Sequence, residues 1–189
     1  MPRRNQPGGR VETDEQAQQR ALTDIAMIAL AHDAALRSSE LLALRWGDIE
    51  TPQENGINIV RIRWSKTDQK AQGAVAPMSD FTAQAITRIK PINANPRGRI
   101  FDMSPSTLAR RIRAAAEAAG LDHANITSHS PRLGIAQDLA AAGVPMPGLM
   151  QAGRWKSPAT AVRYTEHLSA SDTPAAQYLK TQHYRGKAA

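Results

Sequence analysis

The sequence of 189 residues contains no cysteine and few aromatic residues. The absence of cysteine excludes a disulfide scaffold, a thiol nucleophile and a zinc site built from thiolates. Aromatic residues make up only 4% of the chain, which argues against a surface on which the bases of single-stranded nucleic acid would stack. Composition alone therefore removes several classes of structure and of site.

Long hydrophobic runs are also missing. The longest uninterrupted apolar run, Ile25 to Ala31, has seven residues, whereas a helix that spans a bilayer needs about 20. The N-terminal segment is basic but is not followed by the apolar stretch and cleavage site of a secretory signal. We therefore expect no membrane partner and a cytoplasmic location.

Basic residues outnumber acidic residues in this chain. Lysine and arginine total 24 and aspartate and glutamate total 17, which leaves a formal net charge of +7. Such an excess favours a polyanionic partner, most often nucleic acid. The apolar content of 41% and charged content of 22% are those of a globular domain.

Three stretches of different composition divide the chain. Residues 1–12 combine proline, glycine and arginine with almost no apolar side chain, which is typical of a flexible leader or linker. Residues 13–170 carry the helix and strand patterns of one domain, and residues 171–189 carry a last helix and a tail.

Hydrophobic periodicity predicts a mainly α-helical fold with one small antiparallel β-sheet. A first helix from Thr13 or Asp14 to about Leu36 is expected to turn one apolar stripe toward the core. Strands near residues 57–62 and 74–78 flank a polar loop, and helices account for the rest of the chain. The stripe of the first helix consists of Ala21, Leu22, Ile25, Ile28 and Ala29. The serines expected to cap later helices are Ser79, Ser104 and Ser130.

Several side chains that suit phosphoryl transfer lie at helix boundaries and in the polar loop. Two arginines can present planar forks to phosphate oxygens, and a tyrosine can act as an oxygen nucleophile when cations and a base help it lose its proton. A lysine can protonate a leaving oxygen, and an indole N–H can donate one hydrogen bond. In chain order these candidates are Arg37, Lys66, His129, Arg132, Trp155 and Tyr164.

Each candidate taken singly has a more common structural explanation. Arg37 between two helices is usually a surface or capping residue, Lys66 in a polar loop is usually solvated, and Trp155 and Tyr164 are usually core aromatics. Their joint order and spacing therefore carry the functional interpretation. The five histidines are scattered and no paired carboxylates accompany them, so we expect neither a metal nor a cofactor.

The ordered set resembles the active site of the tyrosine recombinases, the site-specific DNA integrases and resolvases. The motif-bearing segments are residues 36–41, 64–67, 129–134 and 142–155, and the resemblance extends over residues 13–170. It implies the catalytic-domain fold of that family. It also implies double-stranded DNA as partner, a homo-oligomer of up to four protomers on the DNA, a nucleoid-associated location, and docking of residues 171–189 onto a neighbouring protomer.

The resemblance further implies a role for each candidate. Tyr164 would attack a scissile phosphate and form a 3′-phosphotyrosyl link, while Lys66 would protonate the leaving 5′-oxygen and His129 would assist proton transfer. The residues that would bind or order the phosphate are Arg37, Arg132 and Trp155, with Glu40 orienting the site. Neither metal nor ATP would be required.

Two further expectations concern DNA contacts and competing functions. Arg110, Arg111 and Arg113 are predicted to lie on the exposed face of the helix after Pro105 and to contact DNA. The family usually carries an N-terminal helical domain that closes around DNA, and residues 1–12 cannot supply it. The competing interpretations are a topoisomerase of type IB that nicks and rejoins one strand, and a DNA-binding protein without catalysis.

Overall fold

The computed structural model describes residues 12–50, 56–63, 73–121, 125–165 and 173–185. Lys66 in the polar loop between the two predicted strands lies outside these ranges, as does all of the predicted leader except Glu12. The helices are α1 (Asp14–Asp33), α2 (Ser38–Ala43), α3 (Asp80–Ile89), α4 (Pro105–Ala118), α5 (Ser130–Ala141), α6 (Met146–Gly153), α7 (Pro158–Thr165) and α8 (Pro174–Arg185). The strands are β1 (Ile49–Glu50), β2 (Asn58–Ile62) and β3 (Ala74–Met78), and a short 3-10 turn spans Trp46–Asp48. The predicted mainly helical class with a small sheet is confirmed.

The sheet is antiparallel with the strand order β1-β2-β3. Val60 in the central strand is paired with Ile49 on one side and with Ala76 on the other. Residues 58, 60 and 62 of β2 are buried while Arg61 is exposed, as the two-residue period of a half-buried strand requires. Strand β1 was not predicted, because two residues are too few to show any period.

Helix α1 begins at a capping box and ends at a left-handed residue. The amide of Gln16 donates to Thr13 Oγ1 over 3.2 Å, and Thr13 N donates back to Gln16 Oε1 over 3.1 Å. At the other end Ala35 has a φ of 46°, a left-handed conformation that an α-helix cannot continue. The helix therefore ends at Asp33, three residues before the predicted end.

The core-facing stripe predicted for α1 was wrong. The buried residues are Ala17, Ala26, Met27, Leu30 and Ala31; of the predicted stripe, Ile28 packs partly buried against the core, whereas Ile25 is 46% exposed. Because residues 25–31 are apolar on every side of the helix, periodicity could not select the buried face. Four members of the predicted stripe instead line a surface groove of about 830 Å³ between α1, α3 and α4, namely Ala21, Ile25, Ile28 and Ala29.

The buried residues form two hydrophobic clusters. The first cluster joins α1 and α2 to the sheet, α3 and α4, with Phe101 and Leu108 fully buried in it. The second cluster is smaller, lies among α5, α6 and α7, and includes Leu149 and Trp155. Helix α5 packs on α1, so the contact between these two helices joins the two halves of the molecule.

Serine caps begin two of the three helices for which they were predicted. Ser79 accepts a hydrogen bond from Thr82 N, and Ser104 accepts one from Thr107 N. Ser130 is instead the first residue of α5, and its hydroxyl accepts from Thr127 N over 2.9 Å in the turn before the helix. Along the described part of the chain, no helix is both long and apolar enough to cross a bilayer.

Candidate active site

The junction between α1 and α2 places Arg37 beside a buried carboxylate. Arg37 Nη1 donates to Glu40 Oε1 over 2.6 Å, and the Arg37 backbone N–H donates to Glu40 Oε2 over 3.0 Å. Glu40 is 1% exposed, whereas the Arg37 side chain is a quarter exposed. Glu40 therefore holds the Arg37 guanidinium on its buried side, and the solvent-facing side of the guanidinium stays accessible.

Arg132 lies in the first turn of α5 and is 1% exposed. Its two terminal nitrogens donate to the backbone carbonyls of Ala35 and Gly153, so its side chain joins the end of α1 to the end of α6. Burial lowers the Arg132 pKa to about 10, and the nearby charges of Arg37 and Arg154 act in the same direction. The guanidinium remains charged at neutral pH.

His129 and Tyr164 meet in front of this arginine. The Tyr164 hydroxyl lies 2.7 Å from His129 Nε2. Burial lowers the His129 pKa, and the positive charges of Arg132 and Arg37 lower it further. The neutral imidazole is therefore favoured, and with its proton on Nδ1 the Tyr164 hydroxyl donates to Nε2.

Trp155 packs between the tyrosine and the buried arginine. Its ring is stacked on Tyr164 at a centroid distance of 5.0 Å and an interplanar angle of 23°, and the Arg132 guanidinium lies 5.3 Å from its centroid. Trp155 Nε1, Arg132 Nε and Arg154 Nε are buried and have no hydrogen-bond partner among the described residues. Buried donors of this kind are normally satisfied, so their presence indicates a site built for an acceptor.

Arg154 adds a third cation that sequence reasoning did not assign. Its guanidinium donates to Glu40 Oε2 over 2.9 Å and to the carbonyls of Ala34 and Ala35 over 2.8 and 3.0 Å. Three buried or half-buried guanidiniums thus surround one carboxylate, an arrangement that favours an incoming anion. The signal in the sequence is an arginine between Gly153 and Trp155, at the end of a helix, where glycine is common.

The structure thus brings together six of the predicted site residues, namely Arg37, Glu40, His129, Arg132, Trp155 and Tyr164. Lys66 lies outside the described residues. Within those residues, no group of three or more histidines, aspartates or glutamates could hold a metal ion. The large groove along α1 is lined by none of these six side chains, so it is separate from the site.

The predicted DNA-contacting face of α4 needs one correction. Arg110 and Arg113 are exposed, but Arg111 is directed against α1, where its Nε donates to Asp24 over 2.6 Å and its Nη2 donates to the Arg20 carbonyl over 2.9 Å. Arg111 is therefore not on the exposed face. Its position follows from the packing of α4 on α1, where it neutralises Asp24.

Comparison with known proteins shows the family. Residues 11–171 match the model of the phage integrase family. The chain belongs to the phage integrase family, and the resemblance to tyrosine recombinases is confirmed. It is 24% identical over an alignment of 172 residues to the recombinase Cre of Escherichia phage P1, which covers 78% of this chain and 50% of Cre. The chain therefore spans half the length of that relative.

Solved structures show the same fold. XerA recombinase matches with a TM-score of 0.65 and 20% identity over 90% of this chain and 64% of XerA. XerH recombinase bound to a palindromic difH substrate matches with a TM-score of 0.63 and 17% identity over 78% of this chain and 43% of XerH. The Tn1549 transposon integrase in complex with a circular intermediate DNA gives a TM-score of 0.60 and 16% identity over 90% and 65% of the two chains. The predicted recombinase catalytic-domain fold is confirmed.

Proposed function

We propose that this chain is the catalytic domain of a site-specific DNA recombinase that cuts and rejoins strands through a 3′-phosphotyrosyl intermediate. The observation that carries the proposal is the Tyr164 hydroxyl held 2.7 Å from a neutral-favoured His129, beside the buried cation Arg132. A phenol, a base and guanidiniums in one site are what nucleophilic attack on a phosphodiester requires. The catalytic domain in this proposal spans residues 13–170.

Double-stranded DNA is the proposed substrate. The net charge of +7 and the exposed Arg110 and Arg113 favour a polyanion. Solved relatives with this fold were determined with DNA, XerH in pre-cleavage and post-cleavage complexes with difH substrates and the Tn1549 integrase with circular intermediate DNA. A shared fold and a basic surface together support the same class of substrate here.

The first chemical step breaks one phosphodiester and makes another. His129 Nε2 accepts the phenol proton as the Tyr164 oxygen forms a bond to phosphorus, and the bond from phosphorus to the 5′-oxygen breaks. The leaving oxygen takes a proton from Lys66, our proposed general acid, and departs as a hydroxyl. A 5′-hydroxyl of another strand then attacks phosphorus and expels Tyr164. One ester bond is exchanged for another at each step, so the reaction needs no nucleotide hydrolysis.

Charge that develops on the non-bridging oxygens is stabilised by donors already in place. Arg37 offers its accessible side, and the unpartnered Arg132 Nε and Trp155 Nε1 are further donors. Donors that are fixed before the reaction stabilise the transition state without reorganisation, typically by a factor of about 10² to 10³ each. Because Trp155 stacks on Tyr164 and covers Arg132, we expect this stack to open when a phosphate enters.

Assembly on DNA as a homo-oligomer of up to four protomers is part of the proposal, as is a cytoplasmic, nucleoid-associated location. Tyr178 and Leu179 on α8 are 63% and 60% exposed, and two neighbouring exposed apolar side chains favour burial against another chain. Sedimentation with and without DNA tests this assembly. A Tyr178→Ser, Leu179→Ser variant that assembles as the wild type does would remove α8 from the interface.

Covalent trapping tests the proposed chemistry. The protein is incubated with a pool of nicked duplexes whose central segment is randomised, and adducts that survive denaturation are recovered and sequenced. We expect adducts with the wild type and none with Tyr164→Phe. Adducts that persist in this variant would show that another tyrosine, such as Tyr178, is the nucleophile. A wild type that binds the pool but never forms an adduct would instead show a DNA-binding protein without catalysis.

A further inference from the structure

We propose that Arg154 is a positioning residue that holds the half of the site bearing Tyr164 in register with the half bearing Arg37. The proposal rests on the recombinase chemistry proposed above, because it names what aligns the same side chains. Arg37 is the N-cap residue of α2 and Glu40 lies in its first turn, next to Leu41 of the first hydrophobic cluster. Trp155 and Tyr164 pack in the second cluster.

Arg154 crosses from one half to the other. Its Nη1 donates to the Ala34 carbonyl over 2.8 Å, and its Nη2 donates to the Ala35 carbonyl over 3.0 Å and to Glu40 Oε2 over 2.9 Å. These partners lie at least 114 positions away in the sequence. A planar fork that contacts two backbone carbonyls and a carboxylate at once fixes direction as well as distance.

The Ala35 carbonyl and the Glu40 carboxylate connect Arg154 to the two predicted phosphate-binding arginines. The Ala35 carbonyl also accepts from Arg132, and the Glu40 carboxylate also accepts from Arg37 through its other oxygen. Glu40 is 1% exposed, so a change in its hydrogen bonds cannot be compensated by bulk water. Loss of Arg154 would therefore move the Glu40 carboxylate and, through it, the Arg37 guanidinium.

The backbone at Arg154 gives an independent reason to assign the side chain a role. Helix α6 ends with Trp155 N donating to the Met150 carbonyl and Arg154 N donating to the Gln151 carbonyl, and Arg154 has φ 52° and ψ 43°. Glycine adopts this left-handed conformation without steric cost, whereas a residue with a Cβ does not. A residue retained in a strained conformation at a site is most simply explained by what its side chain does.

Two variants of Arg154 and one control test this positioning role. Arg154→Gly relaxes the left-handed backbone, which offsets part of the lost hydrogen bonding. Arg154→Lys keeps the charge, but one ammonium cannot reproduce the planar fork. Arg88, which is exposed on α3, supplies the control Arg88→Lys.

The experiment separates positioning from binding and from folding. Single-turnover rates of adduct formation are measured at saturating protein on a nicked duplex recovered from the trapping pool, beside DNA affinity and Tm. For Arg154→Gly and Arg154→Lys we expect the rate to fall about 10- to 100-fold, with DNA affinity within about threefold of wild type. Low, non-denaturing concentrations of guanidinium ion should restore part of the rate of Arg154→Gly and leave the rate of Arg88→Lys, which we expect to equal that of the wild type, unchanged.

Three results would overturn the inference. Rates of both Arg154 variants within twofold of wild type would do so, as would a rate loss fully explained by weaker DNA binding. The third is an unchanged Nε–Hε resonance of Arg37 in the spectra of Arg154→Lys, and this readout needs no catalysis. A wild type without adducts would refute the proposed function, while the Arg37 resonance would still decide whether Arg154 positions that guanidinium.

Discussion

Replacing the buried Arg132 by methionine is expected to abolish most activity at little cost in stability. Burial lowers the Arg132 pKa from its ordinary value to about 10, which corresponds to about 3 kcal/mol of destabilisation from holding the charged form in the protein. Methionine removes that cost and fills a similar volume. It also leaves the Gly153 carbonyl without its side-chain donor, at about 1–3 kcal/mol, whereas the Ala35 carbonyl keeps its hydrogen bond from Arg154.

The two effects nearly cancel. Together they predict a change in the free energy of unfolding between a gain of about 2 kcal/mol and no change. Catalysis has no such compensation, because Arg132 Nε is one of the unpartnered donors of the site. We expect adduct formation to fall about 10²- to 10³-fold.

Urea denaturation and single-turnover trapping on the same preparation check both numbers. Arg88→Met, at an exposed position on α3, is the control for the change of residue type. A loss of stability above about 2 kcal/mol would show that the lost hydrogen bonds outweigh the removal of the buried charge. Cleavage retained to within tenfold would show that Arg132 does not contact the reacting phosphate.

Three other predictions concern pH and the surface of α4. The carboxylates of Asp33 and Asp138 raise the His32 pKa, so their contact with His32 stabilises the fold fully below pH 6.5 and this stabilisation is lost as pH rises through the raised pKa. His32→Gln should therefore lower Tm by about 2–4 °C at pH 5.5. An equal loss of Tm at pH 9 would contradict this. The His129 pKa is lowered, so the rate of adduct formation should fall only below pH 6.5, and a rate that falls already above pH 7 would exclude His129 as the base. Arg111→Ala should lower Tm and leave the salt dependence of DNA affinity unchanged. Arg113→Ala should leave Tm unchanged and weaken the salt dependence of DNA affinity. Binding titrations at several salt concentrations distinguish the two variants.

Residue order and helix-boundary signals were enough to find most of the candidate site. Arg37, His129 and Arg132 lie where chain segments turn, so local motifs and their sequence context marked them. The serine caps of α3 and α4 and the presence of β2 were readable for the same reason, because each depends on neighbours in the chain. These parts of the fold are locally encoded.

Other features depend on which helix packs against which. The buried face of α1 could not be derived from an apolar run without periodicity, and the burial of Arg111 depends on Asp24, 87 positions away. Arg154 was missed because two of its partners are backbone carbonyls and the third, Glu40, lies 114 positions away, where no local pattern marks it. Tertiary contacts decide all three.

The short distance between Tyr164 and His129 within a single chain has a consequence for active-site complementation between subunits. In the proposed chemistry, the nucleophile, the base and both phosphate-binding guanidiniums come from one polypeptide. A mixed assembly of one chain disabled at Tyr164 and another disabled at Arg37 would therefore gain nothing from its members complementing each other. Any alternation between subunits in the proposed assembly would then have to arise from when each site opens.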